Sequence, residues 1–188
     1  MSLKEQNKEE ALADAIRDQA RDAQIIPFTV LLSEDENAAE LLEKISKDEA
    51  FNDIVRVKGD KDTYYYSNKV MSEVFATIMV FLSEGKHAHA MALTVRDRSK
   101  HKNPTPVRLY TEFPFFLAVA QIEQVEEIFK TDPEYADMKA FTASDGMDFF
   151  CSTLHMTPDD ALALVEKDIE DYKPRVHPPS RRHKHDAE

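Results

Sequence analysis

The chain has 188 residues, 42% of them hydrophobic, and a formal net charge of −12. That length and apolar share suffice for one packed core, while the acidity disfavours nucleic acid and anionic membranes as partners. Three glycines and one cysteine exclude glycine-rich phosphate loops, an internal disulfide and any all-cysteine metal or iron–sulfur site.

Residues 4–22 space Leu12, Ile16 and Ala20 at helical intervals, which predicts an amphipathic helix. IIPFTVLL (25–32) is β-branched and apolar and predicts a buried strand. Residues 36–47 put Ala38, Leu41, Leu42 and Ile45 on one helical face. DIVRVKG (53–59) and TYYYS (63–67) read as hairpin strands around the turn GDKD. Ser72 caps a helix whose stripe is Val74, Phe75, Ile78, Met79 and Leu82, and Gly85 stops it. A further helix follows over 86–101, with Met91 and Val95 inward. PVRLYT (106–111) predicts a strand, EFPFF (112–116) a loop, and 119–131 a helix facing inward through Ile122, Val125 and Phe129. MKAFTA (138–143) and MDFFCS (147–152) predict a second hairpin around SDG. Thr157-Pro158-Asp159-Asp160 starts the last helix: Thr caps, Pro fits the first turn, and the acids suit the positive end of the dipole. Residues 173–188 hold Pro, Arg, Lys and His without apolar period and read as a flexible tail.

YYYSNKVMS (64–72) is echoed by FFCSTLHMT (149–157). An offset of 84 also lays AFNDIVRV (50–57) over EYADMKAF (134–141), matching Glu43 to Glu127, Asp48 to Asp132 and Asp53 to Asp137; past the hairpin turn the offset becomes 85. The expectation is an α+β fold: one domain, 1–172, of two tandem β-α-β-β-α repeats related by a pseudo-twofold. The repeats run over about 24–85 and 106–172, with antiparallel hairpins, an N-terminal helix and helix 86–101 as the link. Six strands fit one sheet or two. Residues 112–116 stand out as an insertion in the second repeat. The echo itself reads as scaffold. Tyr64 and Tyr66 share one face of a strand and Tyr65 the other. The second copy has Phe149, Phe150 and Cys151, so no hydroxyl chemistry is shared. Met71-Ser72 and Met156-Thr157 read as an apolar residue followed by a helix cap.

The most unusual composition is KHAHAMALTVRDRSKHKNPTPVR (86–108). Lys86, Arg96, Arg98, Lys100, Lys102 and Arg108 face only Asp97, and His87, His89 and His101 sit among them. In so acidic a chain this island suits an anionic ligand or an acidic partner surface; the competing reading is a solvated helix face balanced by acids elsewhere in the fold. YTEFPFF (110–116), with Tyr110 and Phe113, walls a pocket, marks a protein contact or is simply buried. The candidate binding set is therefore Lys86, His87, His89, Arg96, Arg98, Lys100, His101, Arg108, Tyr110 and Phe113. No catalytic residue, metal set or cofactor emerges. His87 and His89 diverge by about 200° on a helix, and no HExxH or CxxC is present. Cys151 has His155 nearby, but it stands mid-strand where the other copy has Tyr66, which points to packing. His177, His183 and His185 in the tail suit weak metal binding or a solubilising end.

DTYYYSNKVMSEVFA, the TVR of the basic helix, NPTPVRLY and ASDGMDFFCSTLHMT resemble, over roughly 50–160, the YdhW-type "putative oxidoreductase system" proteins of bacteria. Their genes lie near iron–sulfur or molybdopterin oxidoreductase components. The resemblance implies an accessory role beside a redox enzyme and carries no site residues with it. The functional expectation is a non-catalytic accessory or protein-interaction protein, more a binder than an enzyme. Its expected partner is a protein, an oxidoreductase subunit among the candidates, and self-association stays open. The alternative is a small-ligand or anion-binding module built from 86–108 and the loop 110–116. With no apolar leader core and no run near the roughly 18 apolar residues of a membrane span, the expected location is cytoplasmic, without membrane insertion.

Overall fold

Pro27 and Pro106 each end a two-residue strand and begin a helix. A proline can close an antiparallel ladder but cannot donate to it, and its fixed φ suits a helix start. Both adopt extended backbone, φ −63° and ψ 142° at Pro27, φ −66° and ψ 135° at Pro106. The strands predicted over 25–32 and 106–111 therefore shrink to β1 (Ile26–Pro27) and β4 (Thr105–Pro106). Both lead directly into helix: α2 (Phe28–Glu34) in the first half, a 3-10 helix (Val107–Thr111) in the second. Burial overrides strand propensity in both places. Leu31 and Tyr110 enter the core from these turns, and Phe28 packs on Tyr65 with ring centroids 6.3 Å apart.

The computed structural model describes residues 3–172; the tail predicted over 173–188 lies outside the described residues. The remaining elements follow the sequence closely. They are α1 (Leu3–Arg21), α3 (Ala38–Ile45), β2 (Ile54–Lys58), β3 (Thr63–Ser67), α4 (Glu73–Ser83), α5 (His87–Lys100), α6 (Val119–Thr131), β5 (Met138–Thr142), β6 (Asp148–Ser152) and α7 (Pro158–Tyr172). The six strands make two antiparallel three-stranded sheets, ordered β1-β3-β2 and β4-β6-β5. In each the returning hairpin strand is central. Ile26 pairs with Tyr65 and Ile54 with Ser67; Thr105 pairs with Phe150 and Met138 with Ser152. Thr105 stands 79 positions after Ile26, whereas Met138 stands 84 after Ile54. The stretch between β4 and β5 is therefore five residues longer than that between β1 and β2, the length of 112–116.

The helix entries are built as the sequence predicts. Ser72 Oγ accepts from Phe75 N–H at 3.2 Å, and Thr157 Oγ1 from Asp160 N–H at 3.1 Å. Met71 and Met156 are both buried beneath these caps. Gly85, at φ +76°, closes α4: Gly85 N–H donates to Leu82 at 3.1 Å and Lys86 N–H to Phe81 at 2.8 Å. Only a residue that tolerates positive φ fits this stop without strain.

One arrangement occurs in both sheets. The side chain of Asp53, fully buried just ahead of β2, accepts from Arg17 Nε (2.9 Å), Arg17 Nη2 (2.6 Å) and Ser67 Oγ (2.8 Å). Asp137, just ahead of β5, accepts from Arg96 Nε (3.1 Å), Arg96 Nη2 (2.7 Å) and Ser152 Oγ (2.6 Å). A buried carboxylate is tolerable only when paired and hydrogen-bonded in this way. Each pair clamps the preceding long helix, α1 or α5, onto its sheet. Helix 86–101 is thus more than a link: Ala90, Met91, Ala92 and Val95 belong to the largest core cluster, with Tyr110, Ile122, Phe129 and Phe150. From α4, Ile78 joins the same cluster, with Val74, Phe81 and Leu82 packed against it. Among the described residues, no helix is long and apolar enough to cross a membrane.

Candidate functional site

The ten residues singled out by sequence lie along α5 and the loop after it, and the fold separates them. A 14-residue helix is about 20 Å long. At its start, Lys86 Nζ lies 2.5 Å from Asp60 and 3.2 Å from Glu84, and it is 6.0 Å from the Phe81 ring centroid. Asp60 first, then Glu84, holds the Lys86 ammonium above its usual pKa range. His87 and His89 share with Lys86 a cleft of about 410 Å³ against α6. The His89 ring lies between Phe81 and Tyr135, with Nδ1 3.1 Å from the Tyr135 hydroxyl and Nε2 3.6 Å from Glu134. Arg96 is committed to Asp137 and also donates to the Glu134 carbonyl at 3.0 Å. At the far end, Lys100 and His101 are exposed, His101 4.0 Å from Asp97. Arg98 turns to the opposite side, donating from Nη2 to Asn103 Oδ1 (2.8 Å) and to the Pro104 carbonyl (3.3 Å). Arg108 is exposed on the 3-10 helix. Two cations of the island, Arg96 and Lys86, are therefore matched by acids distant in sequence, Asp137 and Asp60. Among the described residues, no three His, Cys, Asp or Glu side chains gather to hold a metal ion.

Tyr110 and Phe113 part company. Tyr110 is fully buried, its hydroxyl donating to the Met91 carbonyl at 3.3 Å and its ring edge-on to Phe115 at 4.9 Å. Burial pushes its phenol far above the usual range, so Tyr110 is a core residue and not one that faces a ligand. Phe113 is 52% exposed, Phe116 69% and Val119 65%. Phe113 lies 6.0 Å from Phe116 and 6.4 Å from Phe75 on α4, centroid to centroid. Between these exposed residues, Phe115 and Leu117 point inward and are buried. Backbone bonds fix the alternation: Phe115 and Phe116 N–H donate to the Glu112 carbonyl at 2.9 and 3.0 Å, and Leu117 N–H to Tyr110 at 2.9 Å. Phe116 sits at φ +47°, a conformation that favours glycine. The Phe113–Pro114 peptide is cis. The segment 110–117 is therefore an anchored loop presenting a small aromatic platform, with Glu112 exposed in it.

The YdhW C-terminal domain model matches residues 85–172. The uncharacterized protein YdhW of Escherichia coli (strain K12) is 31% identical over 163 residues, which covers 84% of this chain and 76% of that protein. The chain belongs to the YdhW family. No solved structure matches it. The YdhW C-terminal match opens at Gly85, the glycine that closes α4, and ends with α7. It thus contains α5, the second sheet, the aromatic loop and the whole basic island. Sequence reading missed the partners: Arg17 as the clamp on Asp53, and Asp60 and Asp137 as counter-ions of the island. The echoed Asp53 and Asp137 were the available signal, since a carboxylate repeated at the foot of matching strands needs a repeated cation.

Proposed function

We propose that this YdhW-family chain is a non-catalytic interaction protein whose aromatic loop docks onto a protein partner, a subunit of an oxidoreductase. The observation that carries this reading is the platform of Phe113 and Phe116, more than half exposed on a loop pinned by backbone bonds, with Val119 exposed at the start of α6. Holding a β-carbon residue at positive φ costs about 1 kcal/mol, and here that strain turns an aromatic ring toward water instead of the core. Rigid, exposed aromatics are the residues that anchor protein interfaces at low entropic cost. With Glu112 exposed in the same loop and a net charge of −12, the fitting partner surface is an apolar pocket with a basic rim. That the partner serves redox chemistry rests on the family resemblance alone.

The scaffold under this loop reads as two tandem units, α1 to α4 and α5 to α7. Equal strand order, the repeated Arg–Asp–Ser clamp and an offset that is 79 ahead of the insertion and 84 to 85 after it support that reading. On it, the docking loop is what the second unit added.

The test places a photo-crosslinking residue at position 116 and, as control, at position 154, where Leu154 is equally exposed in a turn. Crosslinking in native cells from 116 and not from 154 identifies the partner. The purified partner is then titrated with the wild-type chain and with Phe113→Ser/Phe116→Ser. The expected result is a loss of affinity of about 100-fold, two anchor residues at roughly 1–2 kcal/mol each. Equal binding by both proteins refutes the docking loop; a partner without redox association refutes that half of the reading. The alternative, a ligand-binding module, finds its support elsewhere, at Arg98.

A further inference from the structure

Arg98 lines a cleft of about 600 Å³ between β4, the β5–β6 hairpin and the C-terminal half of α7. Its walls are largely apolar: Pro104, Pro106, Met147, Phe149, Val165 and Ile169. The Phe149 ring is stacked on Phe141, 5.6 Å away and within 14° of parallel, which fixes a flat surface at the cleft. Arg98 uses only Nη2 for hydrogen bonds; its Nε is buried without an acceptor, and Nη1 has none among the described residues. A guanidinium with idle donors beside an apolar wall is incomplete, because a buried N–H without an acceptor is costly. At the matching register of the other sheet the space is filled. Tyr64, which pairs with Pro27 as Phe149 pairs with Pro106, is 4% exposed and its hydroxyl lies 3.5 Å from Glu84.

From this geometry we infer that the cleft is a binding site for a small aromatic monoacid, its ring against Phe149 and its acidic group on the idle Nη1 of Arg98. The volume is that of a small-molecule site, and offset stacking favours a planar ring. Two aspartates set the selectivity. Asp145 also lines the cleft, but its Oδ1 already accepts from Met147 N–H at 2.9 Å. Asp168 has no hydrogen-bond or ion-pair partner among the described residues. Its charge penalises a dianion, so a carboxylate or sulfonate is accepted and a phosphate monoester is not. This site is independent of the docking loop, which lies on other elements.

Binding is followed by the fluorescence of 8-anilinonaphthalene-1-sulfonate, with 2-naphthoate and 2-naphthyl phosphate as competitors. Saturable binding to one site is expected, displaced by the carboxylate and not by the phosphate. Arg98→Met should weaken it about tenfold or more, the worth of a charge-assisted hydrogen bond. Val165→Phe, which fills the cleft, should abolish it, and Phe116→Ser should leave it unchanged. If Arg98→Met fails to fold, Asp168→Asn decides, because removing the repelling charge should tighten binding severalfold. Absent binding, binding indifferent to Arg98→Met and Val165→Phe, binding lost with Phe116→Ser, phosphate competing as well as carboxylate, or Asp168→Asn without effect overturns the proposal.

Discussion

Replacing Arg17 with Met keeps the aliphatic stem but strips the Asp53 carboxylate of its two guanidinium bonds at 2.6 and 2.9 Å. Ser67 at 2.8 Å and Lys69 at 3.5 Å stay in place. Breaking a buried ion pair from one side costs about 3–5 kcal/mol, because the surviving charge stays out of water. Lys69 reaches the same oxygen from a mostly exposed position, so the lower figure, about 3 kcal/mol, is expected. In a domain of this size that lowers Tm by about 6–12 °C. The matching change Arg96→Met should cost less, about half, because the Asp137 side chain is 11% exposed where that of Asp53 is 0%, and water can take up part of the lost bonding. Urea and thermal unfolding of both variants measure this. A cost under about 1 kcal/mol for Arg17→Met, or a larger cost for Arg96→Met, would contradict the clamp as the support of each half.

Acid should act through the same carboxylates. Arg17, then Ser67, holds Asp53 below the usual range; at Asp137 burial pushes upward, but Arg96 and Ser152 together outweigh it. Folded pKa values below the unfolded value of about 4 mean that this stability is complete above about pH 4 and lost as pH falls below it. Urea midpoints should therefore drop from pH 5 to pH 3, less steeply in Asp53→Asn; an unchanged slope in that variant argues against the pair. Gly59→Ala would drive its Cβ into Glu84 Oε1 and put it 2.8 Å from the Tyr64 ring. Glu84 is held there by Lys61 N–H at 2.9 Å, so a loss of about 2 kcal/mol is expected by chemical denaturation, and a neutral result would mean that Glu84 moves freely. Phe116→Gly should raise stability by about 1 kcal/mol by relieving the φ of +47°, while weakening partner binding.

Where the sequence carried its own signals, the fold was legible. Helix α6 and strand β3 have the predicted bounds, because apolar spacing and local turn chemistry suffice for them. The two misread strands fail alike: β-branched residues after Pro27 and Pro106 argued for strand, and only the buried partners of Phe28, Leu31 and Tyr110 reverse that. Helix α5 was placed correctly, but its function as a clamp was not visible, since Arg96 and Asp137 are 41 positions apart. The same distance problem hid the cleft at Arg98, whose walls come from 98–106, 145–149 and 165–172. Composition flagged the basic island; pairing with distant acids divided it.

The core cluster that takes in Ile78 of α4 together with Ala90, Met91 and Val95 of α5 has a consequence for anyone who isolates the second half. A fragment cut at 85 loses the helix that covers this seam and bares alanine, methionine and valine to water, a surface prone to self-association. A fragment begun at 72, with the Ser72 cap and all of α4, keeps this seam covered, while the Ala76 side of α4, which packs on Ala20 and Tyr66, is bared instead. Covering this seam therefore takes a start one helix upstream of Gly85, where the family match begins.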